Sequence, residues 1–492
     1  MSESNSLGKK VFSSAGYLTS LRVLDKILSL ITIVYLARIL DPSAFGLMAM
    51  AILTITFLES LTAVSLEQAL IQKPKITNEE MDVAWTYGRV LRSVILSGFL
   101  FFASSAIANF FGEDELALII QVMMITQIIR GFENIGMIVY FRDMDFQKDF
   151  YQGLISRLIR TFVLLLSAYL LESVWAFVYA YIAASFVAVI LSFYFHPYRP
   201  KLNFNLKILK SLFDFGGWVF FSQLLRSLYS IVDRTFIGRM LSATFLGYYQ
   251  IAFRFGNEIP NEIKSVVNQV MFSAYSQLQD DLVRVKKNFL LVLKINCLIL
   301  LPLLSSVFIL SDYLVILFLG ENWILAIPSL EILTAVALFQ SFISLGFPLF
   351  KGLGYPKYES YLLLTIVVIT SMFSYPLILT FGLIGAPIAL LIGQLIALPF
   401  YLLLLKNRLN IRLLDVLRRL KTAFLCSLVL ILLLNFVIHT NNYAITWSVF
   451  LQMIGVILIF LSSLYFYLVK VNKDNDLIQI HSYIISFLKL KL

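Results

Sequence analysis

Two short stretches decide how this chain folds: RILDPSAFG at residues 38–46 and RMLSATFLG at residues 239–247. Each follows a long apolar run that is interrupted by polar residues, and the two lie 201 residues apart without a gap. The same offset aligns Gly16 with Gly217. Because a chance match between two apolar helices does not explain the shared arginine and glycine of the following loop, we interpret the pair as an internal repeat.

The composition around these stretches is that of a membrane protein. Of 492 residues, 60% are hydrophobic and 14% are charged, and the mean hydropathy is +0.86, which excludes a soluble globular protein or a disordered one. The apolar runs are about 20 residues long, as in transmembrane helices, and lack the short alternating strands of a membrane barrel. We therefore predict an all-α integral membrane protein with about fourteen transmembrane helices. The predicted spans are 13–38, 45–71, 85–111, 116–140, 151–171, 173–195, 214–238, 245–272, 289–310, 324–350, 360–380, 382–405, 422–438 and 444–469.

The repeat also predicts how these spans are grouped. Six spans separate its two copies, so both copies enter the membrane in the same direction. This pattern indicates two six-helix lobes that form a parallel pseudo-repeat, at 1–198 and 199–406, with a substrate site between them. Two additional C-terminal spans occupy 407–470, and 471–492 is predicted to be a cytoplasmic interfacial tail.

Most of the net charge of +10 indicates how the chain is oriented in the membrane. With an even number of spans, alternate loops carry 25 of the 39 Lys and Arg residues, whereas the opposite loops carry only Arg38 and Arg239. Cationic loops stay on the cytoplasmic side, so both termini of this multi-pass protein are predicted to be cytoplasmic. The basic balance therefore does not indicate a nucleic-acid partner.

A smaller cationic excess lies within the predicted spans, which hold twelve cations and eight anions. Each charge would cost roughly 2.5 to 3.5 kcal/mol if it faced lipid at mid-depth, so most must face an aqueous cavity, form pairs or lie near the membrane surface. An excess of cations in low dielectric favours a polyanionic ligand such as a phosphate or pyrophosphate. The residues predicted to bind it are Arg22, Lys26, Arg226, Arg254 and Lys294. The alternative for this group is a structural ion pair, such as Asp233 with Arg226 or Arg234.

Spacing along helices assigns further charges. Arg254 and Glu258 are separated by four residues and share a helix face, and Arg130 and Glu133 are expected to neutralise one another. Four arginines near predicted cytoplasmic ends of spans are expected to extend to the membrane surface: Arg89, Arg92, Arg157 and Arg160.

Motifs for hydrolysis or tight cofactor binding are missing from the sequence. We find no phosphate-binding G-x-x-x-x-G-K-[ST] loop, no H-E-x-x-H and no C-x-x-C, and Cys297 and Cys426 read as core thiols inside apolar runs. We therefore predict a transporter that does not hydrolyse ATP, with no cofactor and no metal, and not an enzyme. Its energy would come from an ion gradient, the membrane potential or removal of product.

Two stretches of the sequence resemble those of a known protein family. ARILDPSAFGLMAMA at 37–51 and FGGWVFFSQLLRSLYSIVDRTFIGRMLSATFLGYYQIAFR at 215–254 resemble two diagnostic stretches of the Wzx-type polysaccharide flippases. These belong to the multidrug/oligosaccharidyl-lipid/polysaccharide (MOP) exporter superfamily. The resemblance implies a V-shaped, MATE-like pair of six-helix lobes with two extra C-terminal helices. It also implies that cationic residues on the first and eighth spans hold a lipid diphosphate, which here fall on Arg22 and Arg254.

The implied activity is translocation of undecaprenyl-diphosphate-linked oligosaccharide repeat units, by alternating access, across the bacterial cytoplasmic (inner) membrane. The glycan would belong to an O-antigen, a capsule or an exopolysaccharide, and a polysaccharide polymerase is an expected partner. Export of negative charge down the membrane potential would help to drive the cycle. Inward H+ or Na+ carried by Asp25, Asp233 or Glu258 is the other route. An ion-coupled multidrug or cation antiporter and a lipid II flippase of the same superfamily remain alternatives.

Overall fold

A computed structural model of the protein describes residues 24–26, 28–62, 66–73, 76–143, 147–213 and 217–466. These residues form helices and connecting turns without a β-strand, which confirms the predicted all-α class. Nine helical stretches among them are long and apolar enough to cross a membrane, and the full count of fourteen spans stays a prediction. Arg22 and the predicted tail at 471–492 lie outside the described residues.

The helices, in chain order, are α1 (24–26 and 28–39), α2 (Pro42–Leu61), α3 (Leu66–Gln72), α4 (Asn78–Trp85), α5 (Arg92–Phe111), α6 (Glu115–Gly131), α7 (Met137–Arg142), α8 (Gln147–Leu171), α9 (Trp175–Phe195), α10 (Leu206–Phe213), α11 (Gly217–Met240), α12 (Ala243–Gln277), α13 (Leu282–Ile309), α14 (Ser311–Tyr313), α15 (Ile327–Ser344), α16 (Gly346–Gly352), α17 (Lys357–Phe381), α18 (Gly385–Leu409), α19 (Leu413–Thr440) and α20 (Trp447–Phe466). A π-helical turn, Thr86–Leu91, joins α4 to α5, and another, Leu314–Leu319, follows α14.

The chain divides into two compact units, Met1–Gln250 and Ile251–Leu492. In the first unit α8 packs along α9, α5 packs along α6, and α2 lies against α6 and α11. The lobes inferred from the repeat, 1–198 and 199–406, and the segments after them, 407–470 and 471–492, stay predictions.

In the first unit the two stretches quoted at the outset pack on one another at a pair of glycines. A Cβ atom on Gly46 would overlap the backbone carbonyl of Ala243, and one on Gly247 would overlap the carbonyl of Pro42. Each contact is the other shifted by the repeat offset, because Pro42 aligns with Ala243 and Gly46 with Gly247. Small residues let helix backbones approach this closely, so glycine is required at both positions.

Two further contacts hold the same junction. The backbone N–H of Ala243 donates a hydrogen bond to Oε1 of Glu113 at 2.8 Å, which places a carboxylate at the N-terminus of α12. The Arg239 guanidinium lies 5.5 Å from the centre of the Phe110 ring. Glu113 and Phe110 therefore anchor the second copy of the repeat.

The second unit is built on α13, α15, α17 and α18. Here α17 packs along α18, α15 contacts both α13 and α18, and α19 lies along α13 with α20 against it. A buried cluster joins α19 and α20 to the region after α13; its members are Leu310, Tyr313, Leu430, Leu434, Val449, Phe450 and Met453. The last two helices thus belong to the core of this unit.

A ten-residue segment without helical structure, residues 196–205, connects α9 to α10 and is held against the first unit. We call it the linker segment. The backbone N–H of Lys201 donates to Asp82 Oδ1 at 2.7 Å, and that of Asn203 donates to Thr86 Oγ1 at 2.9 Å. Apolar residues of α10 then pack on a cluster formed by α3, α4 and α7. Hydrogen bonds at Lys201 and Asn203 and the packing of α10 therefore hold this connection against the first unit.

The start of the linker segment depends on a buried amide and a histidine. Asn134 is fully buried, and its Nδ2 donates to the carbonyl of Tyr198 at 2.7 Å. The N–H of Tyr198 donates in turn to Nδ1 of His196 at 3.1 Å. Burial, together with the nearby Lys148 and Arg199, lowers the pKa of His196, so its neutral form is favoured in the fold.

We predict that Gly46→Val destabilises the protein, because the new side chain must push the α12 backbone away from α2. Overpacking of this kind costs typically about 1–3 kcal/mol, and a lower midpoint in thermal unfolding of the purified protein measures it. Gly98→Ala is the matched control, since a Cβ there meets nothing within 4 Å. An unchanged unfolding midpoint for Gly46→Val would refute the close approach.

We also predict that acidification weakens the linker segment. The folded protein keeps the pKa of His196 below its unfolded value near 6.5, so this contribution to stability is complete above pH 6.5 and is lost as the pH falls through the lowered value. Protonated Nδ1 no longer accepts the Tyr198 N–H. Proteolysis within the segment should increase between pH 7.5 and pH 5.5, and His196→Gln should show a smaller increase. Equal pH dependence in both proteins would contradict the assignment.

Candidate functional site

The ionisable side chains within the first unit form a paired network. Arg89 Nε lies 2.8 Å from Glu67 Oε1, and Arg89 Nη1 lies 3.2 Å from Glu133 Oε2. The side chain of Arg89 is 16% exposed. The expectation that Arg89 extends to the membrane surface was therefore wrong: two carboxylates bind it inside the helix packing.

The expected pairing of Arg130 with Glu133 was wrong, because Glu133 binds Arg89 in this network. Helix α6 ends at Gly131, so Glu133 lies in the following turn and no longer shares a helix face with Arg130. Gln152 of α8 also contacts Glu133, with Nε2 donating to Oε1 at 2.9 Å. The Glu133 carboxylate thus binds residues from two other helical segments.

A second set of polar contacts closes the space between α2, α5 and α6. Arg92 Nη2 donates to the carbonyl of Glu59 at 2.7 Å, and Gln127 Nε2 donates to Glu59 Oε1 at 2.9 Å. Arg92 Nε donates to Thr62 Oγ1 at 3.2 Å. Arg92 therefore caps the end of α2, which the sequence pattern did not predict.

On α1, the predicted coupling residue Asp25 forms an ion pair with Arg157 of α8. Arg157 therefore binds a residue of α1. The sequence pattern had instead predicted that Arg157 extends to the membrane surface. The predicted ligand Lys26 follows Asp25 on the same helix and is half-buried.

The two predicted site residues on α11, Asp233 and Arg226, differ in burial. Asp233 is 2% exposed, and its carboxylate accepts a hydrogen bond from the Tyr249 hydroxyl. Arg226 is exposed two turns earlier on the helix. Tyr249 is fully buried and is the partner that sequence reasoning missed. Since it lies sixteen residues away on α12, no helical spacing identifies it.

In the second unit the predicted pair of Arg254 and Glu258 is present. Arg254 Nε lies 3.6 Å from Glu258 Oε1, one turn along α12. Lys294 on α13 is 9% exposed, so its ammonium is drawn into the helix packing, where it has polar contacts. Arg254 and Glu258 are about two-fifths and one-third exposed, which leaves both accessible to a ligand.

A cavity of about 260 Å³ with charged residues in its wall lies within the first unit, beside the Asp25–Arg157 pair. Its lining residues are Glu133, Asp149, Gln152, Gly153, Ser156, Arg157, Arg160, Ala184 and Ala188. In the described part of the chain, no cluster of His, Cys, Asp and Glu has the arrangement of a metal site. The charged groups of this lining are of both signs, two carboxylates and two guanidiniums.

We predict that Arg89→Gln strongly destabilises the first unit, because Glu133 would be left half-buried without its cation. Removing one partner of a buried ion pair costs roughly 3–5 kcal/mol, reduced here because Glu67 is nearly half exposed. Arg89→Gln combined with Glu133→Gln should recover part of the loss in thermal unfolding. Arg142→Gln, from the more exposed pair with Asp143, serves as control and should cost less than about 1 kcal/mol. A double variant no more stable than Arg89→Gln alone would argue against the pairing.

Known proteins are similar to this chain in sequence and in fold. The chain is 25% identical over 341 residues to the lipopolysaccharide biosynthesis protein WzxC of Escherichia coli, covering 68% of each chain. It is 25% identical over 332 residues to the succinoglycan biosynthesis transport protein ExoT of Rhizobium meliloti, covering 66% of each.

Among solved structures, the lipid II flippase MurJ in an inward closed conformation superposes with a TM-score of 0.72 at 17% sequence identity. The match covers 92% of this chain and 99% of that one. The fold is thus that of a multi-pass membrane transporter. The sequence profile described as "Polysaccharide biosynthesis protein" matches residues 35–328, more than half of the chain. The chain is a member of the polysaccharide biosynthesis protein family.

Proposed function

We propose that this protein is a flippase that moves undecaprenyl-diphosphate-linked oligosaccharides from the cytoplasmic to the periplasmic leaflet of the bacterial cytoplasmic membrane. The observation that carries the proposal is the excess of cations at membrane depth in a chain of this family. A diphosphate is the part of such a substrate that most needs cations, since it cannot cross hydrocarbon without them. The relatives WzxC and ExoT, whose names refer to polysaccharide biosynthesis and transport, support the proposal that the transported lipid carries a glycan.

The diphosphate would be bound by Arg22, Lys26, Arg226, Arg254 and Lys294. They come from predicted spans 1, 7, 8 and 9, so both halves of the repeat contribute. Arginine holds phosphate oxygens in pairs through its planar guanidinium, while lysine acts as a point charge. The glycan would pass through the same polar path while the polyprenyl chain stays in lipid.

The membrane potential is the energy source that we favour. Moving about two uncompensated negative charges outward down 100 mV releases roughly 4–5 kcal/mol. Inward H+ or Na+ carried by Asp25, Asp233 or Glu258 is the other route. The ion pair of Glu258 with Arg254 supports it, because substrate phosphate would compete with the carboxylate for this arginine.

The cellular setting follows from the same proposal. Both termini would lie in the cytoplasm, and the two lobes would alternate around the cationic path. A polysaccharide polymerase on the outer side would consume the product. No resident cofactor is required.

A lipid II flippase is the second candidate, and the similarity to the MurJ fold favours it. Both substrates carry a polyprenyl diphosphate, so the cationic path suits either. Loss of a lipid II flippase would be lethal, whereas loss of a surface-glycan flippase would remove the glycan and leave cells viable. A cation antiporter fits less well, because its path would be lined with carboxylates.

We predict that Arg254→Glu abolishes surface glycan while the protein still inserts into the membrane, because the substitution turns a diphosphate ligand into a repulsive charge. Immunoblotting of membranes and extraction of surface glycan measure the two outcomes. Arg418→Glu, an equal charge change at an exposed position of α19, is the control and should preserve export. Normal glycan in the Arg254→Glu strain would remove Arg254 from the site.

A further inference from the structure

The cavity in the first unit has a chemistry that diphosphate binding does not use. It lies between α8 and α9 and extends inward from the end of α8 that is predicted to be cytoplasmic. Asp149, Gln152, Ser156 and Arg160 lie three or four residues apart, so they share one face of α8 over roughly 16 Å. The opposite wall is formed by Ala184 and Ala188, whose short side chains leave the space open.

Several polar groups of the lining are already satisfied. Arg157 pairs with Asp25, and Glu133 binds Arg89. Gln152 Nε2 donates to Glu133 and to the carbonyl of Ala188 at 3.0 Å. These contacts hold the side chains of Arg157, Glu133 and Gln152 in place in the wall of the cavity.

Three polar side chains of the lining have no hydrogen-bond partner among the described residues. The hydroxyl of Ser156 is buried and unpartnered. The carboxylate of Asp149 and the guanidinium of Arg160 also face the cavity without a protein hydrogen bond, and Arg160 lies over the Tyr181 ring at 5.8 Å. Of the three, the Ser156 hydroxyl is buried without a partner, and Asp149 and Arg160 are partly exposed, so a ligand that hydrogen-bonds to Ser156 removes the cost of leaving that hydroxyl unsatisfied.

The three groups select the kind of ligand. Asp149 only accepts hydrogen bonds, Arg160 only donates them, and Ser156 does both. Their charges cancel, so an anion would meet Asp149 and Glu133, and a cation would meet Arg157 and Arg160. A ligand with several neighbouring hydroxyls matches this set, because each hydroxyl both donates and accepts. The volume of about 260 Å³ equals roughly eight or nine water molecules at ~30 Å³ each, room for one sugar ring.

We propose that this cavity is a subsite for a single neutral monosaccharide unit of the transported glycan, bound through Asp149, Ser156 and Arg160. The inference rests on the proposed flippase function. Substrate recognition then has two parts. The cations bind the diphosphate common to all such lipids, and the cavity binds the sugar and determines which sugar is accepted.

The test is equilibrium binding to the full-length protein in lipid nanodiscs. The probes are undecaprenyl diphosphate and undecaprenyl diphosphate carrying one hexose or one N-acetylhexosamine. We expect at least one sugar-bearing lipid to bind the native protein about tenfold more tightly than the bare lipid, as one or two good hydrogen bonds provide. Asp149→Asn and Ser156→Ala should lose this preference and keep their affinity for the bare lipid, which also shows that they are folded. Asp143→Asn, an exposed change outside the cavity, is the matched control.

The possible failures are distinguishable. If bare and sugar-bearing lipids bind equally, the subsite is refuted and the proposed function stands. If a preference exists but survives both cavity substitutions, the sugar binds elsewhere and the inference fails. If no lipid binds, the proposed function fails and the subsite with it.

Discussion

The reciprocal contact of Gly46 with Ala243 and of Gly247 with Pro42 is the constraint on which the arrangement of the first unit depends. It brings the starts of α2 and α12 to backbone contact, a separation that any side chain would prevent. With Glu113 at the N-terminus of α12, it fixes the two repeat stretches against one another. On the predicted topology these loops lie on the outer side. A transporter that alternates between leaflets would have to separate them to release substrate outward.

The second constraint is electrostatic. Charges at membrane depth are tolerated only when they are paired or hydrated. The structure pairs Arg89 with Glu67 and Glu133, and Asp25 with Arg157. This pairing is nearly neutral and serves the fold of the first unit. The cations proposed to bind the diphosphate are a different set, on predicted spans 1, 7, 8 and 9.

The sequence predicted the features that depend on local periodicity and composition. Apolar run length gave the all-α membrane class, and four-residue spacing gave the pair of Arg254 and Glu258, because both lie inside one helix. The same reasoning failed for Arg130 and Glu133, since α6 ends between them. The pair of Asp25 with Arg157 and the hydrogen bond of Tyr249 to Asp233 join separate helices, so no spacing rule reveals them. The two repeat glycines were visible as identities, but their contact with one another was not, because glycine has no side chain whose pattern would report a partner.

The proposed activity is movement of a polyprenyl-diphosphate glycan across a bilayer without ATP. The most direct measurement is reconstitution of the purified protein in vesicles that contain a labelled undecaprenyl-diphosphate oligosaccharide, with an imposed membrane potential and no nucleotide. We expect the glycan to appear in the opposite leaflet only when the protein is present, and faster when the potential favours movement of negative charge in that direction. A glycan lipid that stays in its leaflet, while the same vesicles transport a lipophilic cation, would overturn the proposed activity.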